Sequence, residues 1–139
     1  MNSSRIARKR HSVSRVVLDA SAILAVARNE PGADVVNTHR ANAIISAVNH
    51  MEVVSKLLRF DIPMNEIEVF LSEAFPTVTE FDQQQAAVAA RLHAENRSNR
   101  LGYADAACLA LAMTRGIPVV TGDRKWTMIP LGIEVRLFR

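Results

Sequence analysis

Short apolar runs rich in β-branched residues alternate along this chain with longer stretches of helical spacing, a pattern that predicts repeated strand–helix units. Val16-Val17-Leu18 opens the first strand, expected over about 16–20, and a helix follows from Ala22 until Asn29-Glu30-Pro31-Gly32 breaks it. A short helix fits Ala33–His39, and Ala43–Ala47 reads as the second strand. From Val48 to Leu58 the spacing is helical, with Val48, Met51, Val54 and Leu58 near one face. Pro63 suits the first turn of the next helix, which runs through Ile67, Phe70 and Leu71 to Phe75. Pro76–Phe81 forms a weaker third strand, and Asp82 is placed to cap a helix over Gln83–Glu95, whose Ala86–Ala90 segment has high helix propensity. Asn96–Arg100 is a polar, basic loop, whereas Ala104–Met113 is apolar except for Asp105 and predicts a helix buried on most of its surface. Gly116-Ile117-Pro118 turns into a fourth strand, Val119-Val120-Thr121, closed by Gly122-Asp123. A short helix around Trp126 and an alternating edge strand over Glu134–Phe138 complete the chain.

Strands alternating with helices predict the α/β class, as a three-layer α/β/α sandwich around a mainly parallel sheet with right-handed crossovers. A length of 139 residues suits one such domain. No apolar run approaches the roughly 18 residues of a membrane span, so a soluble protein is expected. The single cysteine, Cys108, excludes an internal disulfide, as expected in a reducing cytosol, and no Cys/His spacing resembles a zinc site. The net charge of +3 conceals an asymmetry: residues 1–15 carry five basic groups and no acid, leaving 12 basic against 14 acidic residues in 16–139. Residues 1–15 are therefore expected to be a flexible basic extension before a domain spanning 16–139. A phosphate-touching arm, a mitochondrial-type presequence and an upstream start or cloning remnant are the other readings of this segment, which lacks the apolar core of a secretory signal.

Four acids lie in predominantly apolar surroundings: Asp19, Glu52, Asp105 and Asp123. Each has a structural explanation taken alone. Asp19 can cap a helix, Glu52 can pair with Lys56 one turn later, Asp105 can complement a helix dipole, and Asp123 can sit in a turn. Together they suggest more. A buried carboxylate without a partner costs several kcal/mol or takes up a proton, and a parallel sheet brings Asp19 and Asp123, which both follow apolar strands, to one edge. Open α/β sheets place ligands beyond the carboxyl ends of their strands. Crowded carboxylates call for a cation, and an all-oxygen donor set suits Mg²⁺ or Mn²⁺. Such a site can acidify a bound water, orient it towards a phosphodiester and stabilise the leaving oxygen. Ser21, Asn49 and Thr121 lie two or three positions from these acids and are candidates to hydrogen-bond the ligands, with cap and turn bonds as their structural alternative.

Val17–Ala22 (V-L-D-A-S-A), Val48–Val53 (V-N-H-M-E-V), Ala104–Ala112 (A-D-A-A-C-L-A-L-A) and Val119–Trp126 (V-V-T-G-D-R-K-W) resemble, in order and spacing, the four acidic motifs of the PIN-domain ribonucleases, specifically the VapC toxins of bacterial type II toxin–antitoxin pairs. The resemblance spans about Val16 to Phe138. It implies a PIN-like fold, Mg²⁺- or Mn²⁺-dependent endoribonuclease activity, a metal site at Asp19, Glu52, Asp105 and Asp123, and hydroxyl partners at Ser21 and Thr121. It also implies a bacterial cytoplasmic location, a homodimer and a cognate antitoxin whose tail covers the active-site groove. Two features depart from the pattern: the basic extension before Val16, and Gly102-Tyr103 where a Ser-Leu type approach is common before the third acid.

An acidic site needs cations to hold a polyanion. Arg97 and Arg100, before Asp105, and Arg124 and Lys125, after Asp123, are the candidates for phosphate contacts, with solvated loop charge as the alternative. Tyr103 and Trp126 neighbour the acids and are candidates for base stacking, Trp126 being also a natural packing residue against the sheet. Cys108 is expected in the core. The helical pair from Val48 to Phe75 carries more apolar surface than one sheet face needs, leaving some for an antitoxin or dimer contact. Competing classes are a catalytically silent PIN-like module that binds RNA or protein, a haloacid-dehalogenase-type phosphatase and a receiver-like domain. The phosphatase expects an acid where Ser21 stands, and the receiver expects paired acids at the first strand end, where Asp19 stands alone.

Overall fold

The computed structural model describes residues 14–139, so the expected basic extension lies outside the described residues except for Ser14 and Arg15. Five strands, β1 (Val16–Leu18), β2 (Ala43–Ser46), β3 (Val78–Thr79), β4 (Val119–Thr121) and β5 (Val135–Leu137), pair in the order β3-β2-β1-β4-β5. Every pairing is parallel. Among the described residues six α-helices accompany them: α1 (Ala20–Ala27), α2 (Ala33–Asn37), α3 (Ala47–Arg59), α4 (Met64–Ala74), α5 (Gln83–Glu95) and α6 (Tyr103–Arg115). Single 3₁₀ turns occupy Arg97–Asn99 and Arg124–Met128.

The strand period of two divides the core into two layers. Val16 and Leu18 of β1, with Ala43, Ile45 and Val120, face one side and pack under α1, α3 and α4. Val17, Ile44 and Val119 face the other and meet α5, α6 and Trp126. Because β1, β2 and β4 are covered on both faces they read as unbroken apolar runs, the sequence mark of buried parallel strands. Helix α6 is buried continuously from Ala106 to Ala112, as its composition predicts.

Boundaries moved where a polar side chain intervened. Helix α1 starts at Ala20 rather than Ala22, because the Asp19 carboxylate accepts the Ala22 N–H and caps the helix directly off the strand. Ser46 does the same for α3 through the Val48 N–H, so strand β2 passes into α3 without a loop. Strand β3 is two residues long, shorter than Pro76–Phe81, since Val78 is exposed and β3 forms the sheet edge. The chain builds outward from β1 to β2 and β3, then returns across it to β4 and β5. The strand order therefore reverses at β1, and the crevice beyond the carboxyl ends of β1 and β4 is the topological switch point.

Candidate active site

The β1–β4 register pairs Leu18 with Val120, which brings the next residues on each strand, Asp19 and Thr121, level with one another. Thr121 Oγ1 donates to Asp19 Oδ2 at 2.7 Å, and Ser21 Oγ donates to Asp19 Oδ1 at 2.7 Å. Both hydroxyls are themselves held by the turn after β4: the Gly122 N–H donates to Ser21 Oγ at 3.2 Å and the Asp123 N–H to Thr121 Oγ1 at 3.0 Å. Two short relays thus run from backbone amides through hydroxyls into one buried carboxylate, fixing its orientation.

The other acids arrive from three further elements. Glu52 stands on α3, one turn after Asn49, whose Nδ2 donates to Glu52 Oε1 at 3.4 Å and to the Ala104 carbonyl at 3.1 Å. Asn49 is buried and ties α3 to the start of α6. Lys56 approaches Glu52 Oε2 at 3.4 Å across one helical turn. Asp105 occupies the first turn of α6, where the Gly102 N–H donates to its Oδ2 at 3.4 Å. Asp123 Oδ1 accepts the Lys125 N–H at 3.0 Å, opening the 3₁₀ turn. Each structural role foreseen for these acids is therefore real, and each is compatible with a position at the sheet edge.

All four acids line one depression of about 260 Å³, together with Ala20, Ser21, Lys56, Gly122 and Arg139. Their charges reach one another. Burial pushes the Asp19 carboxyl up to about 6, opposed by its three hydrogen bonds and reinforced by the charge of Asp105. Burial also raises Asp105, the Gly102 amide opposing it, with Glu52 and Asp123 adding repulsion and Lys125 relieving some of it. Among the described residues no three carboxylate, imidazole or thiol groups close on one point as a ready-made metal cage. Cys108 lies beneath, fully buried on α6, where burial keeps its thiol protonated.

The cations do not fall where sequence proximity suggests. Arg97, Arg100, Arg124 and Lys125 are all exposed and none lines the depression, although Lys125 is near enough to act on Asp105. Lys56 and Arg139 do line it. Lys56 was visible in sequence only as the helical partner of Glu52. Arg139 had no local signal: parallel pairing of Thr121 with Leu137 brings the end of the chain beside Gly122 and Asp123. Trp126 is 1% exposed, a packing residue, whereas Tyr103 is 78% exposed and stacks on His93 with ring centroids 4.4 Å apart. Of the surplus apolar residues on the helical pair, Leu57, Ile67 and Leu71 are buried, while Leu58, Phe60, Met64 and Val69 remain exposed.

Among curated proteins no sequence match is found. Solved structures with the same fold are numerous. The chain superposes on DNA-bound VapBC from Salmonella typhimurium with a TM-score of 0.73 and 22% identity, covering 91% of this chain and 100% of that one. FitAcB from Neisseria gonorrhoeae aligns with a TM-score of 0.65 and 20% identity over 87% of this chain and 96% of its own. PAE2754 from Pyrobaculum aerophilum gives 0.60 and 20% over 88% and 90%. Identities this low speak to the fold. The sequence itself matches the PIN domain profile over residues 16–130, from the first strand past all four acids. With an all-parallel sheet, an acid-lined crevice at its switch point and that match across most of its length, the chain belongs to the PIN domain family.

Proposed function

We propose that this protein is a metal-dependent endoribonuclease and the toxin of a type II toxin–antitoxin pair. The observation that carries the reading is the convergence of Asp19, Glu52, Asp105 and Asp123, from four different segments, on one depression. The donor chemistry suits Mg²⁺ or Mn²⁺: every candidate ligand is a carboxylate oxygen, and Mg²⁺ commonly takes one or two carboxylates while keeping several waters. Asn49 Oδ1, buried beside Glu52 with no hydrogen-bond partner among the described residues, is an acceptor that an ordered water could satisfy.

When bound, such an ion would acidify water and neutralise charge developing on a phosphodiester. The residues of the chain do the rest. Asp19 is held by Ser21, Thr121 and the Ala22 amide, which leaves a lone pair on Oδ2 for the metal. Asn49 orients Glu52, and Lys56 and Lys125 offset the acidic charge against which a polyanion must approach. Arg97, Arg100 and Arg124 would meet only nucleotides farther from the scissile bond. The exposed apolar residues of α3 and α4 would serve an antitoxin or a homodimer contact. A toxin–antitoxin complex from Klebsiella pneumoniae and VapBC-5 from Mycobacterium tuberculosis, a member of the VapBC family of toxin–antitoxin systems, share the fold.

Cleavage of total bacterial RNA by purified protein, with Mg²⁺ or Mn²⁺ against EDTA and alongside Asp19→Asn, tests the reading. Discrete fragments that require both the metal and Asp19 are expected. Folded, antitoxin-free protein that cleaves under neither metal would favour the silent RNA- or protein-binding module instead.

A further inference from the structure

The acid-lined depression does not end at its own rim. A second depression of about 390 Å³ adjoins it and shares Ser21, Lys56 and Arg139 with it. Its remaining wall consists of Leu24, Arg28, Glu30, Arg59 and Phe60. We propose that this groove carries a single RNA strand away from the acids, its phosphates on Arg28, Lys56, Arg59 and Arg139 and an unpaired base on the Phe60 ring. The inference rests on the nuclease reading and extends it to a direction of substrate binding.

Charge favours this direction. Four cations line the groove against one acid, Glu30, immediately beside the cluster of four acids that repels a polyanion. Glu30 holds two of those cations in place, accepting from Arg28 at 3.4 Å and from Arg139 at 3.3 Å. One carboxylate spreads two guanidinium groups without neutralising both. Lys56 is held by Glu52 at 3.4 Å, and Arg59 has no ion pair among the described residues. Cations spaced along a groove track a phosphate backbone, whereas a single cluster would bind one anion.

Phe60 supplies what charge alone lacks. It follows the last turn of α3 and is 52% exposed, unusual for a large aromatic side chain, with the Arg28 guanidinium 3.9 Å from its ring centroid. A ring carrying a guanidinium on one side is a stacking platform for a base, with cation–π stabilisation of the stack. Only an unpaired base can reach it, so the groove selects single-stranded RNA over duplex.

The test is fluorescence anisotropy of a labelled 12-nucleotide single-stranded RNA titrated with the full chain in Mg²⁺, in an Asp19→Asn background, with wild-type cleavage assayed in parallel. Arg28→Ala and Arg59→Ala should each weaken binding severalfold and lower the slope of log affinity against log salt by about 0.7, the value for one phosphate contact on a single strand. Phe60→Ala should weaken binding roughly tenfold with the salt slope unchanged. Glu30→Gln should tighten it. Arg115→Ala, at the far end of α6 and roughly 15 Å along the helix from Asp105, should change nothing. Arg28, Arg59, Phe60 and Arg115 are exposed, and a thermal melt of each variant is run alongside to check that it folds. Wild-type cleavage together with unchanged affinity and salt slope in the Arg28, Arg59 and Phe60 variants would overturn the track and leave the nuclease standing. Absence of both RNA binding and cleavage would overturn both. Loss of binding to an acidic peptide in the same variants, with RNA affinity untouched, would assign the groove to a protein partner and also overturn the track.

Discussion

Thr121 Oγ1 donates to Asp19 Oδ2 at 2.7 Å, joining residues 102 positions apart across the switch point of the sheet. Both are buried, so the bond is made away from competing water. Thr121→Val keeps the shape, removes the donor and leaves a buried carboxylate less satisfied. We expect a loss of about 1–3 kcal/mol in urea unfolding in EDTA, with Thr121→Ser retaining most of the stability. The same change removes an interaction that lowers the Asp19 pKa, so the carboxyl should titrate above its value of about 6.

The raised Asp19 pKa makes stability depend on pH in a particular sense. Unfolded, the carboxyl titrates near 3.8; folded, near 6. Below about 4 both states hold the proton and the group contributes no penalty. Between 4 and 6 the native state keeps a proton that the unfolded state has lost, so native stability falls as pH rises, and above 6 the charged form stays buried at a cost. The shift amounts to roughly 3 kcal/mol at about 1.4 kcal/mol per unit. In EDTA, Asp19→Asn should therefore gain stability relative to wild type as pH rises from 4 to 7, measured by urea unfolding at each pH. Saturating Mg²⁺ should stabilise wild type at pH 7, since only the folded state gathers the acids.

Glu52 separates structure from chemistry. Its pair with Lys56 spans one helical turn, and the Lys56 side chain is 47% exposed, so Glu52→Gln should change stability by less than about 0.5 kcal/mol. The same substitution removes one acid from the depression and should lower cleavage on the order of 100-fold. A large stability loss with normal cleavage would reverse that assignment.

Gly32 is packed where no side chain fits. It caps α2 with φ of +88°, and a Cβ there would lie 2.5 Å from the Phe138 carbonyl oxygen and 2.6 Å from its ring. Gly132 has φ of +73° but open space around it. Gly132→Ala should cost only the left-handed backbone strain, about 1–2 kcal/mol, whereas Gly32→Ala should cost at least about 2 kcal/mol more in thermal or urea unfolding. It should also displace Arg139, the neighbour of Phe138 at the acid-lined depression.

The sequence by itself determined the elements and flagged the acids, for local reasons. Unbroken apolar runs such as Val16-Val17-Leu18 mark strands buried on both faces, helical spacing marks α3, Ala propensity behind the Asp82 cap marks α5, and an almost wholly apolar stretch marks the buried α6. Asp105 stands out because the helix around it is otherwise apolar, and Asp19 because it ends a buried strand. Which polar groups meet was a different kind of question. Asp19 finds Thr121 because the β1–β4 register sets them level, and a register shift of one residue would turn every side chain to the other face. Asn49 reaches the Ala104 carbonyl only once α3 and α6 pack together. Arg97 and Arg100 are close to Asp105 in sequence yet do not line the depression, while Arg28, Arg59 and Arg139, from distant segments, border the groove beside it. Periodicity and burial are properties of a segment and can be read along the chain. Charge balance around a site is set by distances between segments, and those exist only after the sheet has chosen its order and register.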